Sequence, residues 1–312
     1  MPAASLSVIV PSHGRPAQLQ RCLTAAGAQL DRGDELIAVV RRGDTTTSTT
    51  VGRFPNAVVS SVVKPGYAAA LHAGLRAASC DLVAFLDDDA VPGDRWVEKL
   101  KHHFASRPSL GGAGGRIANF EGIRTTNAFF EMGPVAKIGL TGRLRSRLHE
   151  IPAYPRIEEV DFLPGSNMCY RRELIHVPLE LNRGMAGSME IEFACQVKAA
   201  RHQVLYDSEI VVEHYPAPRP EYSREDRAQA AYDASFVYTR IIQRHFSLPR
   251  RLISYGWWVL IGSREWPGIL MWPYLRRRPG QARLVASFRG RRDALRERPS
   301  LPSNSTLSRT AR

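Results

Sequence analysis

Three consecutive carboxylates, Asp87-Asp88-Asp89, follow the apolar run Leu82-Val83-Ala84-Phe85-Leu86 and precede the pattern-breaking Pro92 and Gly93. Carboxylates this close raise one another's proton affinity unless a cation neutralises them. The partner their oxygens select is a hard divalent ion, Mg²⁺ or Mn²⁺. The alternative is a solvated turn in which each Asp bonds its own backbone.

What positions the carboxylates is the apolar run before them. It is too continuous for a half-exposed strand and fits one buried on both faces, as in parallel sheets covered by helices. Its carboxyl end is where open α/β sheets bind ligands. Upstream, Leu6 to Val10 reads as a first strand ending in the loop Pro11-Ser12-His13-Gly14-Arg15. Pro16 opens a helix to about Gln29, with Leu19, Cys22, Leu23 and Ala26 on one face. Strands over Glu35 to Val40 and Val58 to Val63 and a helix over Ala68 to Ala78 lead back to the Leu82 strand. Asp94 to Phe104 follows as a helix. This alternation predicts an α/β fold, with a mostly parallel, nucleotide-binding-like sheet and helices on both faces.

Later segments are less regular. Gly111 to Gly115 is too glycine-rich for a simple strand and is read either as close backbone approach to a ligand or as a bulge. Asn119 to Arg156 lacks periodicity, the pattern of a functional lid or of a poorly ordered segment. Glu190 to Ala200 is predicted helical, and Val204 to Tyr206 and Ile210 to Val212 are two short strands, the second ending at Glu213-His214.

At 312 residues and 44% hydrophobic the chain buries a sizeable core. Cys22, Cys80, Cys169 and Cys195 have neither zinc-ligand nor redox spacing, which argues against a disulfide framework and for a reducing compartment. No basic and apolar leader pattern precedes Leu6, so the expected location is cytoplasmic. The net charge is +13, but eleven Arg against two acids place +9 of it after Tyr274 and only +4 before. No nucleic-acid module accompanies that basic tail, so nucleic acid is not an expected partner.

The order Val8-Ile9-Val10-Pro11-Ser12, Pro65-Gly66-Tyr67-Ala68-Ala69-Ala70 and Phe85-Leu86-Asp87-Asp88-Asp89-Ala90-Val91-Pro92 resembles the family-2 inverting glycosyltransferases with a GT-A fold. Gly165-Ser166-Asn167-Met168-Cys169-Tyr170-Arg171-Arg172 and Val211-Val212-Glu213-His214 extend the resemblance, which covers about residues 5 to 220. It implies a nucleoside-diphosphate sugar donor at Asp87, Asp88 and Asp89, the first Asp toward the ribose and the last toward the metal. It also implies nucleoside contacts from Pro11 and Ser12, and a metal or phosphate contact from His214. The family's Asp at the end of the second strand is replaced by Arg41-Arg42-Gly43-Asp44, so Asp44 is either a displaced substitute or a turn residue. The family's late acidic pair maps onto Met189-Glu190-Ile191-Glu192, with Ile191 at the usual Asp position. Helical phase puts Glu190 with Phe193, Ala194 and Val197 on the protein-facing side and Glu192 roughly opposite. Glu190 is therefore the expected catalytic base and Glu192 the reserve.

The expected activity is metal-dependent, inverting transfer of a sugar to an acceptor hydroxyl in cell-envelope glycan or glycolipid synthesis. A catalytically degenerate sugar-nucleotide or glycan-binding module is the alternative. The domain reading is a glycosyltransferase domain over 1–220, a helical basic extension over 221–298 and a disordered tail over 299–312. Two apolar runs flank Ser263-Arg264-Glu265, and neither approaches the ~20 residues that span a bilayer. Trp257, Trp258, Trp266 and Trp272, followed by the Arg run, predict a peripheral contact with an anionic membrane surface at the inner face of the cell membrane.

Overall fold

A computed structural model describes residues 4–119, 133–150, 152, 154–183, 188–216, 227–263, 266–275 and 278–297. The first half alternates strand and helix. β1 (Leu6–Ser12), α1 (Pro16–Gly27), β2 (Glu35–Arg41), α2 (Thr45–Val51), β3 (Ala57–Val62), α3 (Tyr67–Ala77) and β4 (Leu82–Phe85) lead to β5 (Ala90–Pro92) and α4 (Trp96–Ser106). Alternate residues of β1 feed two separate cores. Leu6, Val8 and Val10 pack with Leu19 and Leu23 of α1 and with Trp96 and Leu100 of α4. Ile9, on the other face, joins the core of Leu71 from α3. That two-sided burial is why the strands carry uninterrupted apolar runs.

β6 (Leu110–Asn119), β7 (Ala136–Ile138), β8 (Leu144–Ser146), β9 (Ile157–Glu159), β10 (Met168–Arg171), α5 (Met189–Ala199) and β11 (Gln203–His214) complete this part. The main sheet runs β3-β2-β1-β4-β10-β6-β11-β5, with β9 paired to β11. β1, β2, β3, β4, β6 and β11 run one way and β5, β9 and β10 the other, so the sheet is mixed but mostly parallel in direction. A separate two-stranded pairing joins β7 to β8.

The glycine-rich stretch is a central strand. Within β6, a Cβ on Gly112 would overlap the Tyr170 ring, one on Gly114 the Asn167 carbonyl, and one on Gly115 the carbonyls of Asp207 and Ile210. The glycines make room for neighbouring chains, and the irregularity lies next door, as a register shift between Asp207 and Val211 of β11. The two short strands expected here are one strand carrying that bulge. In the segment expected to be irregular, residues 120–132 lie outside the described residues, and β7 and β8 form a hairpin whose Val135, Ala136 and Leu148 are buried.

Asn167 holds the bulge in place. Its fully buried side chain accepts from Trp96 Nε1 (2.9 Å) and donates to the carbonyls of Arg116 (3.1 Å) and Ile210 (2.9 Å). Asn167→Ala strands all three partners in the core, and at ~1 kcal/mol or more per orphaned group the expected loss is about 3 kcal/mol of unfolding free energy. Denaturant titration checks this; a loss under about 1 kcal/mol would contradict the assignment.

The C-terminal part consists of α6 (Arg227–His245), α7 (Leu248–Leu260), a 3₁₀ helix over Ile269–Leu275 and α8 (Arg278–Arg296). Phe236, Val237 and Ile241 of α6 belong to the same core as Met189, Phe193 and Val197 of α5, so α6 is built into the domain. α8 crosses close to α6 at Gly290, where a Cβ would overlap the Tyr232 carbonyl. The expectation that four Trp face a membrane is corrected here. Trp258 is buried against Tyr238 (ring centroids 5.6 Å apart) and Trp266 (5.5 Å), Trp257 packs on the core, and only Trp272 is clearly exposed, at 48%. Among the described residues no helix is long and apolar enough to cross a membrane. The expected tail over 299–312 lies outside the described residues.

Candidate active site

The backbone brings the Asp triplet and His214 together. Leu86 N donates to Ile9 O (3.1 Å), holding the chain beside β1 until the triplet leaves the sheet. β5 then returns antiparallel to β11 with Ala90 opposite His214, and Tyr215 N donates to Asp89 O (2.8 Å). Register alone therefore sets Asp89 beside His214, Oδ1 to Nε2 at 3.1 Å. One ligand atom from each of Asp87, Asp89 and His214 falls within 4.8 Å of the others. Two carboxylate oxygens and an imidazole nitrogen at this spacing suit an ion of the Mg²⁺ or Mn²⁺ kind.

Asp88 faces inward. It is buried, accepting from Ser12 Oγ (2.7 Å) and from Arg15 Nη1 (2.8 Å), and the same Arg15 nitrogen reaches Asp89 Oδ2 (3.0 Å). Burial pushes the Asp88 carboxyl up to about 6, against the pull of Arg15 and Ser12, while Asp89 and Asp87 raise it further. Arg15 thus sets one guanidinium against two of the three carboxylates of the triplet.

Asp44 lies at the end of β2 and starts α2, a helix absent from the sequence reading. Its Oδ1 accepts from Thr47 N (3.0 Å), and its Oδ2 from Gly14 N (2.7 Å) and Thr47 Oγ1 (2.7 Å) while facing His13 Nδ1 (3.0 Å). Burial would raise this carboxyl, but the bonds from Thr47, Gly14 and His13 hold it below its usual value. Asp44 thus ties the loop after β1, which carries Arg15, to the end of β2. Pro11 pairs with Val39 inside the sheet and is only partly exposed.

Glu190 and Glu192 sit in the first turn of α5 with opposite surroundings. Glu190 is half-buried, and burial followed by the charge of Asp87 pushes its carboxyl up to about 7. A Cβ built on Gly165 would lie 3.7 Å from Tyr67 Oη and 3.9 Å from Glu190 Oε2, so three stretches distant in sequence border one space beside the Asp triplet. Glu192 is not on the open side of the helix. It is fully buried beneath α6, with His245 Nε2 at 2.9 Å, Arg244 Nε at 3.1 Å and Gln196 Nε2 at 2.8 Å. α6 covers the face that helical phase alone leaves open, so Glu192 does not stand as the reserve base. Burial would raise its carboxyl, but the hydrogen bond and charge of His245, then Arg244 and Gln196, hold it below the usual value. Its stabilisation is present above the unfolded carboxyl pKa and is lost as pH falls through the depressed folded value. Glu192→Gln takes the carboxylate away from His245 and leaves Arg244 with Glu180 alone, and should cost about 3 kcal/mol, the low end for a buried pair because Arg244 is partly exposed and keeps that second partner. Chemical denaturation at neutral pH measures it, and an unchanged midpoint would contradict it.

A family description, Glycosyl transferase family 2, matches residues 7–177, a span that includes all of β1 after Leu6, the Asp triplet, Gly165 and Asn167. The chain belongs to glycosyl transferase family 2. Solved structures agree on the fold. Staphylococcus aureus TarS 1-349 in complex with UDP-GlcNAc superposes with a TM-score of 0.60 at 15% identity, over 91% of this chain and 79% of that one. GalNAc-T7 with UDP, GalNAc and Mn²⁺ gives 0.58 at 12%, over 78% of this chain but only 48% of that one. The mannosyltransferase PcManGT from Pyrobaculum calidifontis with GDP-Man and Mn²⁺ gives 0.53 at 17%, over 91% and 74%. The fold is therefore GT-A, and the chain spans about half the length of GalNAc-T7. No curated protein sequence matches the chain.

Two residues of this family-2 site carried no assigned role in the sequence. Arg15 was visible only as part of a loop, and nothing in its spacing pointed at Asp88 and Asp89. His149, just beyond β8, lies near enough to His214 that burial and then the His214 charge lower its pKa. It comes from the aperiodic segment, where sequence gives no signal.

Proposed function

We propose that this family-2 member is a metal-dependent, inverting glycosyltransferase that moves a sugar from a nucleoside-diphosphate donor to an acceptor hydroxyl. The observation that carries the reading is the pairing of a cation-binding group, Asp87, Asp89 and His214, with a half-buried Glu190 whose pKa of about 7 suits proton abstraction near neutrality. An ion held by Asp87, Asp89 and His214 would offset the charge that develops on the leaving diphosphate. Arg15 keeps Asp88 and Asp89 in place, and Pro11 and Ser12 stand at the edge where a nucleoside would rest. Asp44 orients the loop that follows them and would meet a base only through contacts added to those it already makes. Glu190 takes the proton of the acceptor hydroxyl as its oxygen attacks the anomeric carbon opposite the departing diphosphate. One displacement inverts the centre and needs no covalent nucleophile.

The proposed acceptor is a cell-envelope glycan or lipid-linked sugar, with the chain peripheral at the inner face of the cell membrane. The Arg excess of the C-terminal part supports that placement. Ile191 is buried in the core at 2% exposure, so no second acidic group arises where the family carries one. This favours, as a second reading, a binding module without turnover. Incubation with a panel of nucleotide sugars and Mn²⁺, following nucleoside diphosphate release, separates the two: slow donor hydrolysis supports the transferase, and tight binding of an intact donor supports the module.

A further inference from the structure

Of the large apolar side chains left exposed among the described residues, most lie after residue 247. On α7 the exposed positions Leu248, Leu252 and Leu260 recur at helical spacing, opposite the buried Ser254 and Trp258. Beyond α7, the 3₁₀ helix and α8 enclose a groove of about 540 Å³. Its floor is apolar, built from Leu284 and Phe288, while Ile269, Trp272 and Val285 line it at 51%, 48% and 54% exposure. Arg289 and Arg292 complete the lining. Val285, Arg289 and Arg292 follow one another at i, i+4 and i+7, so one stripe of α8 carries apolar surface and cations together.

We propose that this groove is a docking site for anionic membrane lipid, an acyl chain lying against Ile269, Trp272, Val285 and Phe288 and a phosphate headgroup on Arg289 and Arg292. An apolar patch of this kind on a soluble fold marks an interaction surface. The charge decides which partner. α8 carries six Arg and a single acid, Asp293, so a bilayer of negative surface potential complements it, whereas a second copy of the same basic helix would meet like charge. Buried Trp258 and partly buried Trp266 do not weaken this: their ring contacts with Tyr238 hold the lipid-facing elements to the domain. The proposal rests on the membrane placement above, not on the transfer chemistry, and names the surface that does the docking.

The test is flotation of the full chain with phosphatidylcholine vesicles, with and without phosphatidylglycerol. Wild type should float with the anionic vesicles and be partly released by high salt. Each of Arg289→Gln and Arg292→Gln should lower partitioning about fivefold, and Val285→Asp about tenfold or more. Because these side chains are exposed, all variants should keep the wild-type melting temperature and donor hydrolysis. Flotation of wild type with Val285→Asp and Arg289→Gln floating equally well overturns the groove while leaving the membrane placement standing. No flotation at all overturns both. Equal flotation on neutral vesicles overturns the headgroup assignment, and a lipid-free dimer broken by Val285→Asp reassigns the face to self-association.

Discussion

Glu190→Gln is expected to leave donor affinity unchanged and to slow turnover by ~10²–10⁴. The substitution keeps the shape of the side chain and removes only its ability to take a proton. Glu190 lies close enough to Asp87 for that charge to raise its pKa, and its own pKa of about 7 leaves a large fraction ionised at neutral pH. The sign of the pH dependence follows. A base acts only when deprotonated, so kcat/KM should fall about tenfold for each pH unit below about 7 and level off above it. The variant should lose that acid limb together with the rate. Glu192→Gln should behave differently, with a lowered melting temperature and, below it, near-normal pH dependence. If Glu190→Gln turns over normally with the acid limb intact, the base lies elsewhere.

Asp89→Asn is expected to abolish Mn²⁺-dependent donor binding, a loss of about 100-fold or more in affinity, since a charged ligand contributes several kcal/mol at a metal site. Asp89 is the hub of the cluster, facing His214 through Oδ1 and Arg15 through Oδ2. The fold should survive. The main-chain bond from Tyr215 N to Asp89 O does not depend on the side chain, and removing one of three adjacent charges relieves repulsion. Calorimetric titration of a nucleoside diphosphate with and without Mn²⁺ reads the effect. Unchanged affinity in the presence of the ion would contradict the assignment.

The parts of the fold legible in the sequence are those where burial follows a simple period. β1 and β4 carry apolar runs because both faces are covered, and α1 shows Leu19, Cys22, Leu23 and Ala26 at helical spacing because one face is. β6 was hidden because its glycines answer to Tyr170, Asn167 and Ile210, partners distant in sequence, and carry no hydrophobic signal. α2 was hidden because Thr and Ser are weak helix formers. It forms because Asp44 caps it, while the hydroxyls of Ser48, Thr49 and Thr50 are satisfied locally by carbonyls four residues back. In the site, the Asp triplet announced itself by composition, whereas the contact of Asp89 with His214 depends on the pairing of β5 with β11, which no local pattern encodes. Glu192 and Trp258 share one physical reason for being illegible: the phase of α5 and of α7 taken alone leaves open a second face, and α6 and its neighbours cover both.

The most direct measurement is proton NMR of a turning-over nucleotide sugar with the purified protein, in Mn²⁺ and again in excess EDTA. Slow release of nucleoside diphosphate and free sugar is expected in Mn²⁺, with the first-formed anomer opposite in configuration to the donor, and none in EDTA. Release of the retained anomer, or turnover indifferent to EDTA, would contradict it.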